Sequence, residues 1–213
     1  MSGDNEKMGK GKRLLLIVAA LVLAAALAGG YYALLANYIS GYGIILTPSR
    51  DYEVREVAYY LQNDPVWSQD KIGETNQTLG AAGCLISCVA SAVTDLGVGI
   101  TPAELNEKLS DIGGFSGAKL IWYKIHEAVP EVNYTYSRVF TAKTIENDLA
   151  QGLLPIINVR YHGGGITHWV LVIGAKDGEF MVYDPLNREK TPLPLSTHGK
   201  VYSYRVIRLS DRA

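Results

Sequence analysis

Cysteine is scarce in this chain of 213 residues: it has 2, with 4 histidines, 3 phenylalanines and 3 methionines. Two cysteines cannot make a disulfide framework, and a chain of this length does not need one. They also cannot supply a zinc cluster, and no H-E-x-x-H or calcium-loop pattern is present, so neither metal nor cofactor is expected. No C-x-x-C is present, which disfavours a thiol redox protein. G-x-S-x-G is missing too, leaving the HGGG at His162 without the serine of an esterase. No internal repeat stands out, which excludes solenoids and propellers. The formal net charge is -1, too balanced for a nucleic-acid footprint.

Charge is missing altogether from one long stretch. Between Leu14 and Ser49 no side chain is charged, while Lys7, Lys10, Lys12 and Arg13 stand just before it. About 20 apolar residues suffice to cross a bilayer, and a basic flank stays in the cytoplasm. The sequence therefore divides into a basic tail at 1–13, an anchor or signal sequence at 14–39, a linker at 40–50 and one exported domain at 51–213. A signal peptidase could cut after Ala26-Leu27-Ala28. The uncharged run continues past that point, which favours a retained anchor with the domain outside the cytoplasm over a secreted product.

In the domain, "REVAYYLQ" reads as a short strand or extended segment, followed by a loop to Gly83. "CLISCVASAVTDLG" reads as a helix apolar on most sides, hence central, with Gly97 as its stop. Thr101, Pro102 and Glu104 spell the start of a second helix. "AKLIWYKIHEAV" reads as a third, "NYTYSRVF" as a strand and "TAKTIENDLAQG" as a helix. Strands follow in "LLPIINVRY", in a hairpin turning at Asp177-Gly178, and in "KVYSYRVIRL". Helices first and an antiparallel sheet second make an α+β domain.

Cys84 falls in the first turn of its helix, where free N–H groups and the helix dipole favour a thiolate. Its own N–H could serve an oxyanion, and Gly80 to Gly83 would let a substrate backbone approach. A free cysteine is often only a small buried hydrophobe, the reading that suits Cys88 one turn deeper. A bond between the two does not suit a regular helix. Of the histidines, His126 reads as a surface residue, His162 as a loop residue and His198 as part of a polar turn. His168 opens an apolar strand, a rigid position at the mouth of a cleft. Counting back from Asp177-Gly178 sets Asp184 beside His168, where a carboxylate would orient the imidazole. Asp184 alone would be a turn residue before Pro185.

The stretches "LQNDPVW", "GCLISCVASAVTDLG", "THWVLVIG" and "VYDP" resemble the motifs of the bacteriocin-processing (double-glycine leader) cysteine peptidases, over roughly Tyr59 to Pro185. The resemblance implies a papain-like fold whose nucleophile helix packs on the antiparallel sheet. It implies Cys84 as nucleophile, His168 as base and later acid, and Asp184 as orienting group. Gln62 would complete the oxyanion hole, and the substrate would be a peptide or protein. Leu85 departs from the glycine that usually follows the nucleophile, which bears on substrate preference. An amidase or transpeptidase would use the same triad, and a silent peptide-binding module could keep the fold. Oligomeric state is not legible.

Overall fold

The computed structural model describes residues 10–210. The chain forms two compact units, divided between Tyr38 and Ile39. The first unit is most of helix α1 (Lys10–Tyr42). Within it, Gly11–Tyr42 is long and apolar enough to cross a membrane, judged by length and composition. Leucines at 14, 15, 21, 23 and 27 stay exposed.

The second unit is built of helices and an antiparallel sheet. The residues expected as a linker, 40–50, are part of it. Ile44 pairs with Val201, and Leu46 and Pro48 are buried. A short α2 (Leu79–Ala82) leads into α3 (Cys84–Asp95). All residues of α3 from Ile86 to Val93 are buried, as an apolar helix without a polar face requires. Helix α4 (Pro102–Asp111) starts with a capping box. The Glu104 N–H donates to Thr101 Oγ1 at 3.3 Å, and the Thr101 N–H donates to the Glu104 carboxylate at 2.8 Å.

The helix expected over "AKLIWYKIHEAV" is mostly something else. Its first part holds β2 (Lys119–Leu120), which pairs with β1 (Phe115–Ser116) just before the stretch, and α5 (Lys124–Ala128) is a short helix. Gly113 and Gly117 adopt positive φ of 64° and 60°, conformations that turn the chain where a helix would continue. Sequence periodicity alone could not separate these alternatives, because Leu120 and Ile125 are buried in either.

The main sheet has six strands in the order β3-β8-β4-β5-β6-β7. These are β3 (Val132–Ser137), β4 (Pro155–Arg160), β5 (Thr167–Lys176), β6 (Glu179–Tyr183), β7 (Leu193–Pro194) and β8 (Val201–Leu209). Helix α6 (Ala142–Ala150) lies between β3 and β4 in sequence. Ile156, Leu171, Ile173, Tyr183 and Ile207 join α3, α4 and α5 in one core. The side chains that alternate with them, such as Ile157, Val170, Val172 and Val206, are also buried, so the central strands are covered on both faces. "REVAYYLQ" is an extended segment, one of the two forms expected, and the chain there lies along β5, with reciprocal hydrogen bonds between Tyr52 and Ala175 and one from Arg55 N–H to Ile173 C=O.

Candidate active site

The β5–β6 hairpin turns at Asp177 and Gly178, both at positive φ (54° and 79°), as a tight two-residue hairpin demands. The strands then fail to stay in simple register. Ala175 pairs with Phe180 and Gly174 with Met181, but Val172 pairs with Val182 and Leu171 with Tyr183. Ile173 is the extra residue of a β-bulge. That one residue decides the site, because a slip of one position moves a side chain to the opposite face. Continued without the bulge, the register would set Asp184 opposite Leu171, facing the helices. With it, Asp184 follows on the face of Val182, the face shared by Val172, Val170 and His168. His168 therefore reaches Asp184 along a diagonal, and the direct side-by-side pairing expected from a plain count is corrected.

The contact itself is short. His168 Nε2 lies 2.6 Å from Asp184 Oδ1, and both side chains are almost wholly buried. Leu186 N–H also donates to Oδ1 at 2.8 Å, so Asp184 is a turn residue before Pro185 as well as a partner of His168. Burial works against the charged form of both groups. Hydrogen bonds to Asp184 and Cys84 outweigh it for His168 and raise its pKa to about 9. Burial likewise opposes ionisation of Asp184, but His168 and His198 hold its carboxyl well below the usual carboxylate range.

Cys84 is the first residue of α3 and half-buried. With Nε2 of His168 turned to Asp184, the other ring nitrogen is left for the thiol. Gly80 and Gly83 allow the close packing that fixes this corner. A Cβ on Gly80 would stand 2.8 Å from the Ser68 carbonyl oxygen, and one on Gly83 2.5 Å from that of Leu79. Cys88 is fully buried, its Sγ 3.4 Å from the Trp169 carbonyl oxygen, and burial drives its pKa well up. Both cysteines are free.

Gln62 is buried at 3% exposure and lines the same groove as Cys84 and His168. Its N–H donates to the Pro185 carbonyl at 3.0 Å, which ties it to the residue after Asp184. Its Nε2 donates to the Gly80 carbonyl at 2.9 Å, using one of two amide hydrogens. Tyr59 and Tyr60 brace the segment: Tyr59 meets the Tyr183 ring edge-on at 4.1 Å, and the Tyr183 hydroxyl donates to the Tyr60 carbonyl. The groove measures about 880 Å³. Leu85, Trp122 and Trp169 give it an apolar wall, and Asn158 a polar point.

Of the remaining histidines, His126 is exposed, as expected, and His162 is exposed in the connection between β4 and β5. His198 is not a solvated turn residue. It is fully buried, and its Nε2 lies 3.4 Å from Asp184 Oδ2. No local sequence signal marks it; only the packing of the chain after β7 against the β4–β5 connection brings it there.

No protein-family model matches this chain, and no curated protein does. Among solved structures it is similar to a protein described as a C39-like peptidase from Bacillus anthracis. The alignment covers 75% of this chain and 100% of the other, with 12% identity and a TM-score of 0.47. At that score the likeness decides nothing about this chain's chemistry.

Proposed function

We propose that the chain is a cysteine peptidase of papain-like mechanism. The observation that carries this reading is the buried 2.6 Å His168–Asp184 contact beside the half-buried thiol of Cys84, in one groove. A carboxylate against one imidazole nitrogen fixes the tautomer and stabilises the imidazolium, and a neighbouring thiol can then give up its proton.

In this reading the Cys84 thiolate adds to a peptide carbonyl carbon. The resulting oxyanion takes hydrogen bonds from first-turn N–H groups of α3 and from the free amide hydrogen of Gln62. His168 gives its proton to the leaving amine as the C–N bond breaks, and a thioester remains. Water, deprotonated by His168, then releases the acid and restores the thiol. An amine in place of water would make the same chain a transpeptidase, and an amide substrate an amidase. The apolar groove wall suits an uncharged, extended peptide. Helix α1 would anchor the protein in the membrane, with the basic tail inside and the second unit outside the cytoplasm.

The test is iodoacetamide labelling of the full chain in detergent micelles between pH 4 and 9, beside cleavage of a peptide library. Fast labelling in acid that vanishes in Cys84→Ala and slows in His168→Ala is expected, together with defined cleavage products. Labelling only above about pH 8, as for a free thiol, and indifferent to His168, would leave a peptide-binding module instead.

A further inference from the structure

Asp184 has two carboxylate oxygens, and the mechanism above uses one. The other, Oδ2, lies 3.4 Å from His198 Nε2, within ion-pair reach but longer than an ordinary hydrogen bond. His198 is 0% exposed, and its Nε2 makes no hydrogen bond of ordinary geometry among the described residues, with Asp184 Oδ2 the carboxylate oxygen within reach. What holds the ring is unusual. His162 sits at φ 49° and ψ 36°, a left-handed conformation that costs a non-glycine residue energy. In that conformation the His162 N–H points at His198 Nδ1, 3.4 Å away. Gly163 and Gly199 turn the two loops here at positive φ of 77° and 76°.

A nitrogen that accepts an N–H carries no proton of its own. A proton on Nδ1 would set two N–H groups face to face. The neutral ring therefore has its proton on Nε2, the nitrogen beside Asp184 Oδ2. Two further polar rings stand here: Tyr161, 5.3 Å from the His168 ring and 6.1 Å from that of His198, and His162, 5.9 Å from that of His198.

We infer that His198 is a positioning residue for Asp184: its Nε2–H tautomer, set by the His162 backbone, holds Oδ2 while His168 holds Oδ1. This rests on the peptidase reading for its catalytic consequence. Without the second donor, the buried carboxylate has an unpaired oxygen. It must then turn or take up a proton, and the His168 imidazolium loses its anchor either way.

The experiment uses the full chain in micelles with ¹⁵N-labelled histidine. At pH 7, His198 should show a protonated Nε2 and an unprotonated Nδ1, its signals assigned by their loss in His198→Gln. A proton on Nδ1, alone or with Nε2, overturns the inference. Two variants add the functional arm. A glutamine amide nitrogen can stand where Nε2 stood; the shorter asparagine cannot reach. In His198→Asn, iodoacetamide labelling of Cys84 at pH 6 should fall about tenfold, and the His168 titration midpoint should move down. In His198→Gln both should return to within about threefold of the parent. Equal losses in the two variants, or none, would overturn the inference. If the tautomer and the His168 midpoint behave as stated while no peptide is cleaved, the peptidase reading alone has failed.

Discussion

The two walls of the groove are made in different ways. The Cys84 wall is local: a loop, two tightly packed glycines and the start of one helix set the thiol within a few residues of chain. The His168–Asp184 wall is non-local. It depends on a hairpin register, on Ile173 being one residue too many, and on a loop from beyond β7 that supplies His198. A local corner can be wrong only in its backbone shape. A register-built corner can be wrong by a whole face of the sheet. In the proposed reading, the reactive atom thus sits on the simpler structure, and the groups that tune it sit on the more fragile one.

Substitutions can break this contrast. The largest effect belongs to Cys84→Ala, which should abolish acid-range labelling and peptide cleavage while leaving the melting temperature nearly unchanged, since the side chain is only half-buried. Gln62→Ala should lower kcat by about a hundredfold with little change in KM, the usual loss for one oxyanion donor. On the other wall, Gly174→Ala should act through the fold. Its Cβ would stand 2.4 Å from the Glu53 carbonyl oxygen. A cost of about 3 kcal/mol in urea unfolding is expected, with slowed labelling of Cys84 as the bulge shifts.

The pH dependence of stability separates the walls further. The folded pKa of His168, about 9, lies above the ordinary value of 6.5. Its stabilising contribution is complete below pH 6.5 and is lost as pH rises through 9. Asp184 works at the other end, with a contribution present above its ordinary value of 3.8 and lost only in strong acid. Thermal melts should therefore show a loss on the order of 2 kcal/mol between pH 6.5 and 9 that is absent in His168→Asn. The smallest effect should come from Cys88→Ala, about 1 kcal/mol of stability with acid-range labelling intact.

The same contrast explains what could be read from the chain. The α3 helix, the Thr101–Glu104 capping box and the Asp177-Gly178 turn are local patterns, and each stands in the structure where the sequence put it. Cys84, His168 and Gln62 are brought to one groove, with Asp184 buried against His168, although the roles given to them remain proposals. The bulge at Ile173 was not legible, because nothing in "VLVIGAKDGEF" except Gly174 marks an extra residue, and glycine has many other uses. His198 was invisible for a similar reason: its partners lie in other strands. Residues 40–49 lack charge and periodicity, yet Leu46 finds a buried place. The β1–β2 hairpin was lost because its apolar residues also fit a helical stripe.

The reciprocal hydrogen bonds between Tyr52 and Ala175 bear on the order in which the domain assembles. Tyr52 is near the start of the domain and is made early; its partner lies in the hairpin of the last third. Closing so long a loop gains nothing until β5 exists to receive it. The entry segment must therefore wait, with its backbone groups hydrated, while the helices and the sheet come together. Emerging from a ribosome, the domain would complete its reactive corner only after most of the chain had been made, and a premature chain would carry the cysteine without its tuning partners.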